Sequence, residues 1–399
     1  MKIGHLKAKY PEIRTIIDKS SIVTYIYEND YNNLYFYKYG INKVLSKFKL
    51  CKESINDRFK HKSIIKNKFV DLYHFFNHIE MGDSDYITTF ESCVPRIDEV
   101  LSITRNSDFL NNNIDDNTRK IIQKEMLKIN SDNCKKLIAI SNCTKEIQLA
   151  LLDFCSKDVK KNIEKKIVVI HPPQKLHIES YEEKKKNTSK DLTFMFVGKA
   201  FHGKGGYETV KAFDNISKKF KNIRLVLVGN LCENLNYVKS LTQKEIDEIK
   251  LIISQNSKIT HYNNLSNREV INLMKKSDVG LLPTWADTYG YSVLEFQSCG
   301  CPVISSNARA LTEINNNEVG WIIDMPLTKL KEINFLDSKN INYIRSKFIS
   351  ELERLFIEII ENPCIIEIKS ELSIRRIDNM HNPQKYDELI SEIYREVKL

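Results

Sequence analysis

The sequence predicts an α/β protein with parallel sheets, organised as two domains. Short apolar runs of strand length alternate with segments whose apolar residues recur at helical spacing, the pattern of β-α-β crossover units. A chain of 399 residues, 42% hydrophobic, is long enough for two or three domains with filled cores. Nine of the twelve glycines lie between Gly198 and Gly320, so the backbone that must approach a ligand closely is concentrated in the second half.

Composition bounds the function. Lys+Arg 61 against Asp+Glu 52 gives a net charge of +9, which suits an anionic ligand or an anionic membrane surface without demanding either. Compositional bias toward lysine and asparagine is the plainer explanation. No nucleic-acid-binding motif accompanies the charge, so no nucleic acid is expected as a partner. The nine cysteines are odd in number and form no Cys-x2-Cys pair, which argues against a disulfide framework or a zinc site and for a reducing cytoplasm. Met1 is followed by no apolar signal segment, and no run approaches the roughly 18 to 20 apolar residues of a spanning helix. Any membrane contact is therefore expected to be peripheral, at the inner face.

Met1 to about Lys68 shows short apolar clusters, such as Ile22 to Ile26 and Leu34 to Tyr37, and is assigned only as the start of an α/β domain. Phe69 to Phe76 reads as a strand ending at Asn77 and His78, and Tyr86 to Phe90 as a second, with Pro95 ending regular pairing. His74, among aromatics, reads as a core histidine. Asp83-Ser84-Asp85 has the form of a metal-ligating D-x-D, but it precedes a strand rather than following one, and no metal site is assigned. Leu137 to Ile140 is a third strand, after which Ser141 caps a helix from Thr144 to about Phe154. Ile167 to Ile170 is a fourth. His171-Pro172-Pro173 and the lysine- and glutamate-rich Gln174 to Lys190 then mark a linker.

Thr193 to Val197 opens the second domain, and G-K-A-F-H-G-K-G-G follows it. A strand, a glycine-rich turn carrying Lys199 and Lys204, and a helix with Tyr207, Val210, Phe213 and Ile216 on one face form a candidate diphosphate cradle. Glu208 breaks the spacing of a dinucleotide fingerprint. Ile223 to Val228 and Ile259 to Tyr262 are strands, and Ser266 with Glu269 makes a capping box for a helix to Lys276. Val279 to Leu282 is a buried strand; residues 284–288 form a loop, and a helix begins near Tyr289 with Val293, Leu294 and Gln297 on one face. Gly300 stops it and Val303 to Ser305 returns to strand. The amides of Tyr289, Gly290 and Tyr291 are thus expected unpaired at a helix N-terminus, where a phosphate binds. Asp287 and Glu295 flank the turn eight residues apart and can accept hydrogen bonds from sugar hydroxyls. For Glu295 alone, a solvated acid on an ordinary helix is the plainer reading. Ile341 to Ile360 and Tyr386 to Val397 are further helices.

The stretch L-E-F-Q-S-C-G-C-P-V-I resembles the E-x7-E region of the retaining glycosyltransferases of family four, and the likeness spans about Phe194 to Asp324, including Gly198 to Lys204, Glu313 and Gly320 to Ile323. The resemblance implies the GT-B fold: two Rossmann-like, doubly wound domains facing a cleft, with C-terminal helices crossing back to the first. Domains are then expected at 1–175, joined by a helix at about 380–399, and at 190–375. It implies that Lys199 and Lys204 reach the donor phosphates, with Gly198, Gly203, Tyr289, Gly290 and Tyr291 lining the nucleotide site. It further implies that Glu295 binds the ribose and that Asp287, where the family has glutamate, contacts the donor sugar. Glu91 stands at about the place where the family's second strand ends in a histidine that lines the donor site, and is carried over as a sugar contact.

The expected activity is metal-independent transfer of a sugar from a nucleotide-sugar, which is substrate rather than cofactor, to a glycan or lipid-linked glycan in bacterial surface polysaccharide synthesis. Lys199, Lys204 and the helix amides near Gly290 would stabilise the leaving diphosphate. Two alternatives stay open: a nucleotide-sugar epimerase on the same fold, and a nucleotide-sugar-binding subunit without turnover.

Overall fold

The computed structural model describes residues 1–6, 9–50, 56–97, 114–186, 190–232, 241–334 and 338–398. These divide into two compact units, Met1–Pro173 with Pro383–Leu399, and Gln174–Asn382.

The first unit is built on β1 (Lys2–His5), β2 (Thr24–Tyr27), β4 (Leu72–Phe76), β6 (Tyr86–Phe90), β7 (Cys134–Ala139) and β8 (Ile167–Val169), all parallel, in the order β2-β1-β4-β6-β7-β8. A two-stranded ribbon, β3 (Lys60–His61) with β5 (Ile79–Glu80), lies beside it. Its helices are α1 (Tyr10–Thr15), α2 (Leu34–Lys47), α3 (Asp116–Ile129), α4 (Asn142–Leu152) and α5 (Lys157–Glu164). Ser141 caps α4 by accepting from the Thr144 amide, as the sequence predicts. The strand expected from Phe69 begins only at Leu72, because Asn67 turns the chain by accepting from the Phe69 amide and leaves Phe69 exposed.

The second unit holds β9 (Leu192–Val197), β10 (Ile223–Val228), β11 (Ile259–Tyr262), β12 (Val279–Leu282), β13 (Val303–Ser306) and β14 (Trp321–Ile323). They are parallel, in the order β11-β10-β9-β12-β13-β14. Numbered within the unit this is 3-2-1-4-5-6, the doubly wound order of nucleotide-binding sheets, with its switch point between β9 and β12. The central strands β9, β12 and β13 are buried on both faces, as helix-covered parallel strands must be, while the edge strand β11 exposes Thr260 and Tyr262. Covering them are α6 (Tyr181–Lys185), α7 (Gly206–Ser217), α8 (Gln243–Gln255), α9 (Asn267–Lys276), α10 (Tyr291–Ser298), α11 (Leu311–Ile314), α12 (Ser338–Glu361) and α13 (Cys364–Met380). Ser266 and Glu269 form the anticipated capping box on α9.

Gln174 to Lys190 is not the bare linker expected. The His177 and Ile178 amides bond the Ser298 carbonyl at 2.9 and 3.2 Å, and α6 buries Lys184, whose Nζ donates to the Met274 carbonyl at 2.8 Å. Its charged composition hides a lysine whose stem is packed and whose head finds a buried acceptor.

The last helix, α14 (Pro383–Lys398), returns to the first unit. Tyr386, Ile390, Ile393 and Tyr394 pack against Ile3, Leu72, Ile87 and Ile138 on one face of its sheet. His74 is a core residue there: its ring nitrogens lie 2.7 Å from the Tyr394 hydroxyl and 2.9 Å from Thr89 Oγ1, and burial pulls the imidazole down to about 3.

Candidate functional site

The candidate site lies at the carboxyl ends of β9 and β12, on either side of the second unit's switch point. Glycines bring the two loops together. Gly205, at φ +86°, lies against the loop after β12, and a Cβ there would meet the Pro283 carbonyl oxygen at 2.1 Å. The Trp285 amide donates to the Gly203 carbonyl at 3.0 Å, and Thr284 Oγ1 reaches the same oxygen at 3.2 Å. Gly198 closes the end of β9 by donating to the Val228 carbonyl at 3.0 Å.

That contact delivers Lys204 to Asp287. Lys204 Nζ donates to Asp287 Oδ2 at 2.7 Å and to the Ala286 carbonyl at 2.9 Å. Asp287 Oδ1 in turn accepts from the amides of Tyr289 and Gly290 at 3.1 and 2.9 Å. Gly290, at φ +94°, is the N-cap of α10, and a Cβ there would meet Leu311 Cδ2 at 2.5 Å. Lys199 is exposed, and no described residue pairs with its ammonium. Tyr291 opens α10, and Glu295 sits on its second turn, largely buried.

Two expectations are corrected by this geometry. The Tyr289 and Gly290 amides are not open, because Asp287 is short enough to fold back onto them as a cap. Helix geometry leaves Ser292, in the first turn of α10, without an intrahelical acceptor. The glycine-rich turn is likewise no nest of free amides: Lys204, Gly205 and Gly206 donate to the carbonyls of Ala200, His202 and Phe201. The loop offers side-chain cations to an anion.

Gly198, Gly203, Lys204, Asp287, Tyr289 and Gly290 are thus joined by one chain of contacts, with Lys199 on the same loop and Tyr291 and Glu295 on α10. Glu91 belongs to the first unit, at the end of β6, one strand beyond that unit's own switch point between β1 and β4. Its Oε1 accepts from Arg96 at 2.6 Å and from Asn77 Nδ2 at 3.1 Å. Sequence reasoning missed the support behind the site. Trp285 packs on Phe348 of α12 with ring centroids 5.3 Å apart, and Arg345 of the same helix reaches Glu208 at 3.4 Å and Glu245 at 2.7 Å. Glu208, the residue that breaks the dinucleotide spacing, is the available signal: an acid inside a buried helix start needs a partner. Burial raises its carboxyl above the usual range, with Arg345 opposing.

Residues 177–332 match the family model described as Glycosyl transferases group 1. The matched segment lies within the second unit. The capsular polysaccharide biosynthesis glycosyltransferase CapM of Staphylococcus aureus is 27% identical over 197 residues, 49% of this chain and 47% of that protein, so the match spans about half the relative's length. A glycosyltransferase structure from Rickettsia africae aligns over 99% of this chain and 98% of its own, with a TM-score of 0.58 and 18% identity. The structure of Anabaena HepE in complex with UDP aligns over 99% and 100%, with a TM-score of 0.59 and 11% identity. At those identities the structures show the fold, and that fold is GT-B. The group 1 segment contains every second-unit residue singled out above except Arg345 and Phe348.

Proposed function

We propose that this chain transfers a sugar from a nucleotide-sugar donor to a glycan or lipid-linked glycan acceptor, with retention of configuration, in bacterial surface polysaccharide synthesis at the cytoplasmic face of the membrane. One observation carries the reading: a glycine-supported lysine, an exposed second lysine and a helix N-terminus converge at the sheet's switch point. The capsular role in the name of CapM supports the polysaccharide context.

As the bond from sugar to diphosphate breaks, negative charge grows on the phosphate and positive charge on the sugar. Lys199 and Lys204 meet the former, Lys204 exchanging Asp287 Oδ2 for a phosphate oxygen, so the charge needs no metal. Asp287 keeps its Oδ1 on the Tyr289 and Gly290 amides, which leaves the freed Oδ2 to accept from a hydroxyl of the donor sugar. Glu295 accepts from the ribose hydroxyls, and Glu91, an acid of the first unit held by Arg96, is taken separately as a candidate acceptor for a sugar hydroxyl. The departing phosphate oxygen takes the acceptor's proton.

Nucleotide release with a panel of donors, UDP-sugars first, tests the reading in the presence and absence of glycan acceptors. Acceptor-dependent release that falls in Lys204→Ala is expected. The full engagement of Asp287 favours one rival, a donor-binding subunit; nucleotide binding with no release on any acceptor would decide for it.

A further inference from the structure

Helix α2 in the first unit shows its apolar side to solvent. Leu34, Tyr37, Ile41, Val44 and Phe48 recur at steps of three and four residues and are between 45% and 71% exposed. The opposite side, with Tyr35, Tyr39, Asn42 and Leu45, is half-buried against the unit. The exposed stripe therefore cannot be the helix's own core contact. It continues onto the loop after β3, because Asn32 accepts from the Ile65 amide at 2.9 Å and its carbonyl accepts from Ile64 at 2.8 Å, holding both exposed isoleucines beside the start of α2.

The charge around this stripe has one sign. No acid occurs from Tyr31 to Leu50, and Lys43, Lys47 and Lys49 have no ion-pair partner among the described residues. Lys38 alone on the helix is paired, 3.0 Å from Asp57. From Tyr31 to Val70 the sequence carries ten basic residues and two acids, a surplus of eight in a chain whose net charge is +9. Among the described residues, the exposed Lys43, Lys47 and Lys49 lie on or just past the helix that carries the exposed apolar stripe.

We propose that the outward face of α2, with Ile64 and Ile65, is a membrane-docking surface that inserts its apolar stripe into the interface of an anionic lipid bilayer while its lysines hold lipid phosphates. Aromatic and aliphatic residues flanked by lysines have the amphipathic character of a helix lying in the headgroup region. A second copy is a poor occupant, because pairing α2 with itself would set its lysines against each other. The last helix is a poorer membrane surface still, since α14 buries its apolar face in the core of the first unit.

The test is co-sedimentation of the full chain with vesicles of phosphatidylcholine alone and of phosphatidylcholine mixed with phosphatidylglycerol. The chain is expected to partition onto the anionic vesicles only, with binding that weakens as salt is added. The variant Tyr37→Ser, Ile41→Ser, Val44→Ser is expected to lose about ten-fold in partitioning, since each apolar side chain removed takes away buried area at the interface. The variant Lys43→Gln, Lys47→Gln, Lys49→Gln, which keeps the stripe and so guards against a folding artefact, is expected to lose the preference for anionic lipid. Far-ultraviolet circular dichroism of both should match the parent. Equal binding to both vesicle types, no binding, or a dimer in gel filtration that the stripe variant dissolves would each overturn the proposal, the last in favour of helix pairing.

Discussion

The two units use nearly the same parallel sheet, yet they spend their polar residues differently. In the second, the loops at the switch point are drawn together by glycine, and Lys204, Asp287 and two amides meet in a partly exposed cluster. In the first, the residues at matching strand ends are bound into local pairs, Asn77 with Glu91 and Glu91 with Arg96, and His74 is sealed in the core. Two similar six-stranded parallel sheets therefore do not make two sites. What differs is whether the backbone after the strands can pack closely enough to aim a cation outward.

The largest expected effect breaks or keeps this contrast directly. Lys204→Ala should lower acceptor-dependent nucleotide release about a hundred-fold or more, as removal of one charge-stabilising donor does. Glu91→Gln, in the first unit, should cost less than about ten-fold; a loss equal to that of Lys204→Ala would place the decisive chemistry in both units.

Stability effects come next. Gly290→Ala combines a left-handed φ with a Cβ at 2.5 Å from Leu311 Cδ2, and should destabilise the second unit by about 1–3 kcal/mol, read from its thermal unfolding. Asp287→Ala removes the acceptor shared by two amides, and about 1 kcal/mol is expected.

A pH effect on the first unit comes last. The unfolded His74 titrates near 6.5, while the folded imidazole is held down to about 3 by burial and by His5. The unfolded state thus binds the extra proton in that window, so the stabilisation from keeping His74 neutral is whole above pH 6.5 and is lost progressively as pH falls toward 3. Urea unfolding should show the first unit weakening from about pH 6.5 to 5 at up to about 1.4 kcal/mol per pH unit, a slope that His74→Gln reduces. An unchanged slope would mean that the histidine is not sealed. His78, lowered to about 4 chiefly by burial, adds to the same trend.

The second unit was the more legible in sequence for a physical reason. Its strands β10, β11 and β12 are short runs rich in β-branched and aliphatic residues, and their ends match the expected residues. Met1 to Lys68 resisted because α2 exposes its apolar stripe, which inverts the usual rule that periodicity points to the core. Helix α13 went unseen because polar residues interrupt its buried face: between Ile366 and Ile374, Ser370 and Ser373 bond the Gly300 and Val319 carbonyls at 2.8 Å, while Ile368 stays exposed. At the site, Lys204 and Asp287 could be named from the sequence, but their pairing could not. It depends on Gly205 lying against Pro283, a contact between segments some eighty residues apart.

The central claim is that a donor's diphosphate is held where β9 and β12 diverge. A crystal structure with a nucleoside diphosphate bound measures it most directly. Phosphate oxygens within about 3 Å of Lys204 Nζ, with the Lys204–Asp287 pair opened, are the predicted result. Phosphates seated elsewhere, with that pair still closed at its present 2.7 Å, would contradict the account.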